Sequence, residues 1–330
     1  MKKILNHLFE HKTLSQEDAK EVLTNMANGR YSDPEIAAFL TVYLMRSITI
    51  EELSGFRDAL LNLCIPVDLS EFDPMDLCGT GGDEKNTFNI STLSSFVAAG
   101  AGVKVAKHGN YSVSSSCGSS NILEYFGYQF SNDESKIKKE MERAGISFLH
   151  APLFNPAMKN VAPVRKSLRL KTFFNMLGPM VNPAFVKKQM VGVFSLELAR
   201  LYGYIYQKTD KRFTIIYSLD GYDEISLTGD FKMVTNEYES ILSPAEISLK
   251  QYKPEELFGG NGVEEAAVIF KNVLEGKGNP AQNDVITANA GMAINCYHPE
   301  KSVQESIALA KESLESGQDL VSFSKLVNES

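Results

Sequence analysis

Cysteine is scarce in this sequence, and its residues are widely spaced. No two of them form a Cys-x-x-Cys pair; they are Cys64, Cys78, Cys117 and Cys296. This spacing argues against a zinc site and against a disulfide framework.

Long apolar stretches are also missing. No run approaches the roughly 18 apolar residues of a membrane helix. Polar residues also interrupt the segment after Met1, where the apolar core of a signal peptide would lie. These absences predict a cytoplasmic protein that does not enter the membrane.

Positive charge is in short supply as well. The chain carries 33 Lys and Arg residues against 41 Asp and Glu residues, which gives a formal net charge of -8. An acidic balance opposes loose binding to nucleic acid or to anionic membranes. Small anions remain possible ligands wherever cations are placed locally.

The helical signals are concentrated at the start of the chain. Up to about residue 65, apolar residues recur at three- and four-residue spacing, as at Leu53, Phe56 and Leu60. Thr49 followed by Glu52 has the spacing of a capping box. We therefore predict a small N-terminal helical domain over residues 1–70, joined by helices from about 160–190.

After Pro66 the pattern changes to short apolar runs, glycine- and serine-rich loops and further helical stretches, which is typical of an α/β layer. The predicted fold class is α/β, with a larger domain over residues 71–330 built on a mainly parallel central sheet. A first βαβ unit is predicted from a strand at Met75–Cys78, a helix at Ser91–Ala101 and a strand at Val103–Ala106. Further strands are predicted at Met190–Phe194, Phe213–Ser218 and Glu224–Leu227.

A glycine-rich loop follows the first predicted strand. Its sequence is Gly79-Thr80-Gly81-Gly82-Asp83, and glycines let backbone N–H groups approach an anion without side-chain interference. The loop lacks the Gly-Lys-Ser/Thr ending of a P-loop and is not Gly-x-Gly-x-x-Gly, which argues against nucleotide binding of those two kinds. Asn89 to Thr92 then lead into a helix start, where phosphate is attracted, although a plain helix cap also explains these residues.

A second loop favours phosphate over a plain cap. Lys107-His108-Gly109-Asn110 follows the neighbouring parallel strand, so it opens at the same edge of the sheet, where ligands of open α/β sheets bind. Serines from Ser112 to Ser120 crowd ahead of the next helix. The sequence therefore predicts a phosphate site made by two adjacent loops.

Two further features are candidates for ligand binding. Asp223 and Glu224 follow a predicted strand, and carboxylates facing a phosphate pocket require a hard cation such as Mg²⁺ between them. A solvated acidic turn is the alternative. Arg165 can form a forked pair with a carboxylate, and a surface arginine is the alternative there. We find no His pair with metal-ligand spacing and no Ser/His/Asp arrangement, which disfavours nucleophilic catalysis.

Together these motifs resemble the anthranilate phosphoribosyltransferase family, from end to end of the chain. The resemblance implies a small helical domain hinged to a larger α/β domain, and a homodimer through the helical domain. It also implies the reaction of phosphoribosyl diphosphate with anthranilate in tryptophan biosynthesis, with two Mg²⁺ ions per subunit. The residues that carry the resemblance are Gly79–Asp83, Asn89–Thr92, Lys107–Asn110, Pro163–Arg165, Phe174–Pro179 and Asp223–Glu224.

The resemblance also implies the site residues. Phosphoribosyl diphosphate contacts fall on Gly79, Gly82, Asp83, Thr87, Asn89, Ile90, Ser91, Thr92, Lys107, His108, Gly109, Asn110, Ser112, Ser115 and Ser119. Anthranilate contacts fall on Gly79, Asn110 and Arg165, and the metal ligands on Ser91, Asp223 and Glu224. No catalytic acid or base is implied, because anthranilate is already a nucleophile.

The sequence departs from the family pattern at four positions. Tyr111 stands where Arg is frequent, Ser116 where Lys is frequent, Asn121 where Asp is usual and Asn155 where His is frequent. The first three lower the positive charge or change the polarity beside the phosphates. The fourth changes a polar group on the anthranilate side.

Two other functions compete with this interpretation. A pyrimidine nucleoside phosphorylase shares the architecture, but it requires a Lys-x-Ser-Gly-Arg type loop where this chain has Lys107-His108-Gly109-Asn110. A relative that binds nucleic acid requires a basic groove, which the charge of -8 opposes.

Overall fold

The computed structural model describes residues 1–112 and 116–328, and the chain forms two compact units. The first comprises Met1–Pro66 and Ala151–Pro183, and the second comprises Val67–His150 and Ala184–Ser330. The chain therefore leaves the helical unit after Pro66, returns to it at Ala151 and leaves it again after Pro183. Among the described residues, no helix is long and apolar enough to cross a membrane.

The first unit is all helical. Thr49 caps its fourth helix as predicted: the Thr49 hydroxyl accepts the Glu52 N–H at 3.2 Å, and the Glu52 carboxylate accepts the Thr49 N–H at 3.0 Å. The helices are Lys2–Phe9, Gln16–Ala27, Asp33–Met45, Ile50–Leu63, Ala151–Phe154, Ala162–Leu168 and Phe174–Leu177, with 3₁₀ turns at Pro156–Asn160 and Gly178–Met180.

An aromatic cluster joins the two segments of this unit. Phe56 and Phe173 stack with ring centroids 4.3 Å apart, and Phe39 and Tyr43 each meet Phe173 edge-on. Offset and edge-on pairs of this kind add to the burial of apolar area. The returning segment is thus anchored by Phe173 to helices formed more than a hundred residues earlier.

Glu52 is a buried charge at the base of this cluster. It is 0% exposed and accepts N–H groups from Leu14 at 3.0 Å and from Arg46 at 2.6 and 2.9 Å, with the Tyr43 hydroxyl at 3.2 Å. Burial raises the pKa of Glu52, but the hydrogen bonds from Arg46, Leu14 and Thr49 outweigh it, so the pKa is lower than usual. Glu52 is therefore held ionised inside the unit.

The second unit is built on a single mixed sheet. In the described part of the chain its strand order is β3-β2-β1-β4-β5-β6-β7. The strands from β3 to β5 run parallel, and β6 and β7 are antiparallel. The strands are β1 Met75–Gly79, β2 Val105–Gly109, β3 Ile146–His150, β4 Lys188–Gly192, β5 Arg212–Ser218, β6 Phe231–Thr235 and β7 Glu239–Leu242.

Helices pack on the sheet and give the unit its core. The helices Ile90–Gly100 and Pro280–Tyr297 are buried along almost their whole length, as expected for the central helices of an α/β layer. The other helices are Ser119–Tyr125, Glu134–Ala144, Leu196–Tyr206, Val263–Leu274, Val303–Ser316 and Gln318–Val327, with 3₁₀ turns at Ser70–Phe72, Pro244–Ile247 and Pro254–Leu257. The predicted fold class, a small helical part and a larger α/β part with a mainly parallel sheet, is confirmed.

The prediction of a strand at Glu224–Leu227 is wrong. The segment is a turn: the backbone of Ile225 bonds to the Asn289 side chain, and Leu227 has φ of 56°. Its apolar residues are buried, which the sequence pattern indicates, but the backbone groups of Glu224 and Ile225 bind the side chains of Ser218 and Asn289 instead of a neighbouring strand. On the edge away from β4, β5 pairs with the strand Phe231–Thr235, which runs antiparallel.

Replacing the buried charge of Glu52 tests the packing of the helical unit. We expect Glu52→Gln to lower the free energy of unfolding by about 3 kcal/mol, because it leaves Arg46 without its ionised partner in a largely buried site. Urea unfolding followed by circular dichroism measures this. Glu51→Gln, at the exposed neighbouring position, is the matched control, and an equal loss in both variants would contradict the role of Glu52.

Candidate active site

The acidic turn and the glycine loop meet at one edge of the sheet. Gly79 ends β1 and Gly192 ends β4, and the two are paired across the strands. Beyond them, the Gly81 N–H donates to Asp223 Oδ2 at 2.6 Å. The carboxyl ends of parallel strands form the usual ligand site of open α/β sheets. The structure thus brings together two segments that are 142 residues apart.

Two glycines make this approach possible. A Cβ atom on Gly79 would lie 2.4 Å from Asp223 Oδ2, and one on Gly192 would lie 1.4 Å from the Asp223 carbonyl oxygen. No other residue type fits either position without moving the turn. Because glycine has no side chain, the ends of β1 and β4 leave room for the acidic turn to pass across them.

The helix Ile90–Gly100 contributes its first turn to the site. Ile90 and Thr92 are both 1% exposed, and the Ile90 N–H donates to the Phe88 carbonyl at 2.6 Å. The Ser91 N–H donates to Glu224 Oε1 at 2.9 Å. Asn89 precedes the helix and donates its amide to the Cys117 carbonyl at 3.1 Å. The dipole and free N–H groups of a helix start favour negative charge here.

Lys107 is the buried cation next to these carboxylates. Its side chain is 2% exposed, and its ammonium group donates to the Leu77 carbonyl at 2.6 Å and to the Ser91 hydroxyl at 3.4 Å. Burial lowers the pKa of Lys107, while Cys78, Asp76 and Glu224 favour its charged form. The amine therefore lies beneath the loops and contacts Ser91 from within the unit.

The carboxylates of this edge crowd one another. Burial raises the pKa of Asp223 well above its usual range, and the charges of Glu224 and Asp83 raise it further. Burial and the charge of Asp83 raise the pKa of Glu224 to about 8, and burial also raises the pKa of Asp83. Like charges that share a site disfavour ionisation unless a cation joins them. A nearby cation would therefore favour the ionised forms of these carboxylates.

The oxygen atoms of Asp223, Glu224 and Ser91 are ligands of the kind that a hard cation prefers, but they are too few to bind one without further ligands. In residues 1–112 and 116–328, no group of three or more His, Cys, Asp or Glu side chains is arranged to hold a metal by itself. Asp223, Glu224 and the Ser91 hydroxyl offer oxygen only. Mg²⁺ prefers this combination, because it usually binds one or two carboxylates and takes its other ligands from substrate phosphates and water.

The second loop is held by the core of the sheet. The His108 N–H donates to Asp76 Oδ1 at 3.1 Å, and Asp76, which is 0% exposed, also accepts the Gln189 amide at 3.3 Å. Gly109 ends β2, and the Asn110 carbonyl that follows accepts the Ser119 hydroxyl at 3.3 Å. Sequence reasoning missed the role of Asp76, because it is an isolated polar residue in an apolar strand.

Asn121 has a definite structural role at this loop. Its Oδ1 atom accepts the N–H groups of Ser112 and Gly118, each at 3.0 Å, and a carboxylate oxygen would accept them equally well. The departure from Asp thus keeps the acceptor and loses the negative charge. The predicted contact Ser115 lies in residues 113–115, outside the described residues.

A third segment, which the sequence did not indicate, ties the two loops together. The Gly260 carbonyl accepts the Asn86 amide at 2.8 Å, and it lies 3.1 Å from the Ser116 hydroxyl. That hydroxyl also lies 2.9 Å from Asn86 Oδ1, and Thr87 forms a β-bridge with Phe258. Ser116, at the position where the family often has Lys, therefore joins Asn86, just after the glycine loop, to this segment. In the sequence, the Gly259-Gly260 pair is the feature that could have indicated this segment as part of the site.

Arg165 lies in the first unit, in the helix Ala162–Leu168. Its guanidinium group sits 4.9 Å from the centre of the Phe174 ring, and burial lowers its pKa. This distance is within the range of a cation–π interaction.

Comparison with known proteins identifies the family. The chain matches the helical bundle domain of a glycosyl transferase family over residues 2–64 and the a/b domain of that family over residues 71–320. It is 62% identical to the anthranilate phosphoribosyltransferase of Christiangramia forsetii, over 99% of this chain and 98% of that protein. This chain belongs to the anthranilate phosphoribosyltransferase family. The resemblance stated from the sequence and the predicted enzyme class are confirmed.

Solved structures of this family agree. The anthranilate phosphoribosyltransferase of Thermus thermophilus aligns with a TM-score of 0.91 at 33% identity, over 98% of each chain. The enzyme of Saccharomyces cerevisiae in complex with PRPP and Mg aligns with a TM-score of 0.87 at 28% identity, over 96% of this chain and 93% of that one.

The close approach at Gly192 is testable by itself. We expect Gly192→Ala to lower the free energy of unfolding by about 1 to 3 kcal/mol, because the added methyl group displaces the Asp223 carbonyl. Thermal and urea unfolding measure this. Gly203→Ala is the control, since its Cβ would meet only Val234 at 3.8 Å. A Gly192→Ala protein as stable as this control would contradict the geometry of the turn.

Proposed function

We propose that the edge formed by the glycine loop, the second loop and the acidic turn binds phosphoribosyl diphosphate with Mg²⁺. The chain transfers the phosphoribosyl group to the amine of anthranilate and releases N-(5-phosphoribosyl)anthranilate and diphosphate, a step of tryptophan biosynthesis. One observation carries this proposal. The carboxylates of Asp223 and Glu224 accept the backbone N–H groups of Gly81, in the glycine loop, and of Ser91, at the start of the helix.

Backbone and hydroxyl groups are the proposed partners of phosphoribosyl diphosphate. Those of the helix start and of the loop after β2 suit phosphate oxygens, because they donate hydrogen bonds without adding repulsive charge. Lys107 acts on the site from beneath, through Ser91. The proposed contacts remain those implied by the resemblance: Gly79, Gly82, Asp83, Thr87, Asn89–Thr92, Lys107–Asn110, Ser112, Ser115 and Ser119.

Asp223, Glu224 and the Ser91 hydroxyl are the proposed ligands of two Mg²⁺ ions per subunit. The crowding of the carboxylates supports this, since their ionised forms are favoured only when a cation is close. When bound, Mg²⁺ neutralises charge on the diphosphate and makes it a better leaving group.

The chemistry requires positioning more than proton transfer. The lone pair of the anthranilate amine forms a bond to C1 of the ribose while the bond from C1 to the diphosphate oxygen breaks, and the diphosphate leaves with that electron pair. The amine then loses a proton to solvent or to the departing diphosphate. This chain's residues hold the diphosphate and keep the amine in line with C1 of the ribose. Positioning of this kind raises the reaction rate by several orders of magnitude.

Arg165, Asn110 and Gly79 are the proposed anthranilate contacts. Arg165 would pair with the substrate carboxylate, because a guanidinium group can form a bidentate pair with a carboxylate, and its guanidinium lies 4.9 Å from the centre of the Phe174 ring. Asn110 is exposed at the end of the second loop. Each of these three assignments rests on the family resemblance together with the local geometry of its own unit.

We further propose a homodimer formed through the helical unit, in the cytoplasm. Met45 is 85% exposed and Phe9 is 60% exposed in that unit. Apolar side chains mark an interaction surface where they form one contiguous patch, and the proposed dimer requires Met45 and Phe9 to belong to such a patch.

The loss of anthranilate fluorescence in the presence of phosphoribosyl diphosphate tests the activity. We expect consumption with Mg²⁺ and none without it, and we expect the double variant Asp223→Asn with Glu224→Gln to lose about 100-fold or more in rate. Asp230→Asn, at an exposed position of the following loop, is the matched control and should keep full activity. Circular dichroism verifies folding. Wild-type protein that consumes no anthranilate would refute the proposed activity, and a fully active double variant would refute the metal role.

A further inference from the structure

The turn that carries Asp223 and Glu224 is held by buried side chains. The Ile225 N–H donates to Asn289 Oδ1 at 3.0 Å, and the Asn289 amide donates to the Ile225 carbonyl at 2.9 Å. The Ser218 hydroxyl donates to the Glu224 carbonyl at 2.6 Å. These bonds take the place of the strand pairing that the sequence pattern predicted for this segment.

Asn289 has every polar group of its amide in use. Besides the two bonds to Ile225, its amide donates to the Val285 carbonyl at 2.8 Å, within its own helix. It is 2% exposed, between Ala288 and Ala290, which are both 0% exposed. The three bonds fix the orientation of the amide, because an exchange of its oxygen and nitrogen would set two donors against each other at the Ile225 N–H.

Two of these contacts act on the same peptide group. The Glu224 carbonyl and the Ile225 N–H belong to the planar unit that directly follows the Glu224 Cα. Ser218, at the end of β5, holds one edge of that plane, and Asn289, on the helix Pro280–Tyr297, holds the other. The direction in which the Glu224 side chain leaves the backbone is therefore fixed by two elements of the core.

We infer that Asn289 and Ser218 are positioning residues, which pin the Glu224–Ile225 peptide so that the carboxylates of the turn face one cation site. This inference rests on the proposed metal role of Asp223 and Glu224. Crowded carboxylates repel one another, so a turn free to relax would move them apart before the cation arrives. A pinned turn keeps its ligands arranged in advance, and outer partners of this kind typically change metal affinity by about 10- to 100-fold.

Substituting Asn289 tests the inference without relying on turnover. We expect Asn289→Leu to weaken the binding of Mn²⁺, used as a paramagnetic substitute for Mg²⁺ in the presence of phosphoribosyl diphosphate, by about 10-fold or more by electron paramagnetic resonance. Hydrogen exchange at the Ile225 amide should become faster, because its acceptor is lost. The KM for anthranilate, measured at saturating Mg²⁺, should stay unchanged.

A matched substitution on the same helix separates positioning from general loss of stability. Asn295→Leu removes an amide that donates to the Lys301 carbonyl at 2.8 Å, away from the acidic turn, and it should leave Mn²⁺ affinity unchanged. If Asn289→Leu does not fold, Ser218→Ala decides the question, because it removes the other edge contact and should shift Mn²⁺ affinity in the same direction.

The outcomes distinguish the two proposals. Wild-type affinity for Mn²⁺ in folded Asn289→Leu, or in Ser218→Ala if Asn289→Leu does not fold, would overturn the positioning role and leave the proposed function intact. Wild-type protein that binds no Mn²⁺ in the presence of phosphoribosyl diphosphate would overturn the metal role and, with it, this inference.

Discussion

Repulsion among Asp83, Asp223 and Glu224 is the constraint on which the rest of the α/β unit depends. The fold brings these carboxylates to one edge of the sheet, where burial and mutual charge raise their pKa values. Backbone N–H groups of Gly81 and Ser91 compensate part of that charge. The remaining charge is the basis of the proposed Mg²⁺ site, because a cation stabilises crowded carboxylates in their ionised forms.

Much of the surrounding structure serves to hold this arrangement. Bare strand ends at Gly79 and Gly192 let the acidic turn cross β1 and β4, and Asn289 and Ser218 fix its backbone. Beneath the loops, Lys107 contributes a buried positive charge beside Ser91. Repulsion among the carboxylates thus costs the unit stability, and the hydrogen bonds from Asn289 and Ser218 offset that cost. Local destabilisation that is compensated elsewhere is typical of functional sites.

The sequence was sufficient for features that depend on local patterns. The helix periodicity around Leu53 and Phe56, the capping box at Thr49 and the glycine loop after β1 follow from near-neighbour chemistry, and the structure contains all of them. Features that depend on distant partners were not predictable. Glu224–Leu227 alternates like a strand, yet Asn289, 64 residues further on, takes its backbone hydrogen bonds. From the sequence, Ser116 is only a position where the positive charge of the family's frequent Lys is absent. Its structural role became visible through its contacts with Asn86 and Gly260.

In the proposed function, the Asp223–Glu224 turn and Ser91 hold the cation that binds the diphosphate. Anomalous diffraction from crystals grown with Mn²⁺ and phosphoribosyl diphosphate would locate that cation. We expect a Mn²⁺ peak within about 2.0 to 2.3 Å of a carboxylate oxygen of Asp223 or Glu224, in contact with a diphosphate oxygen. Diphosphate bound at the two loops with Mn²⁺ absent from these carboxylates would contradict it.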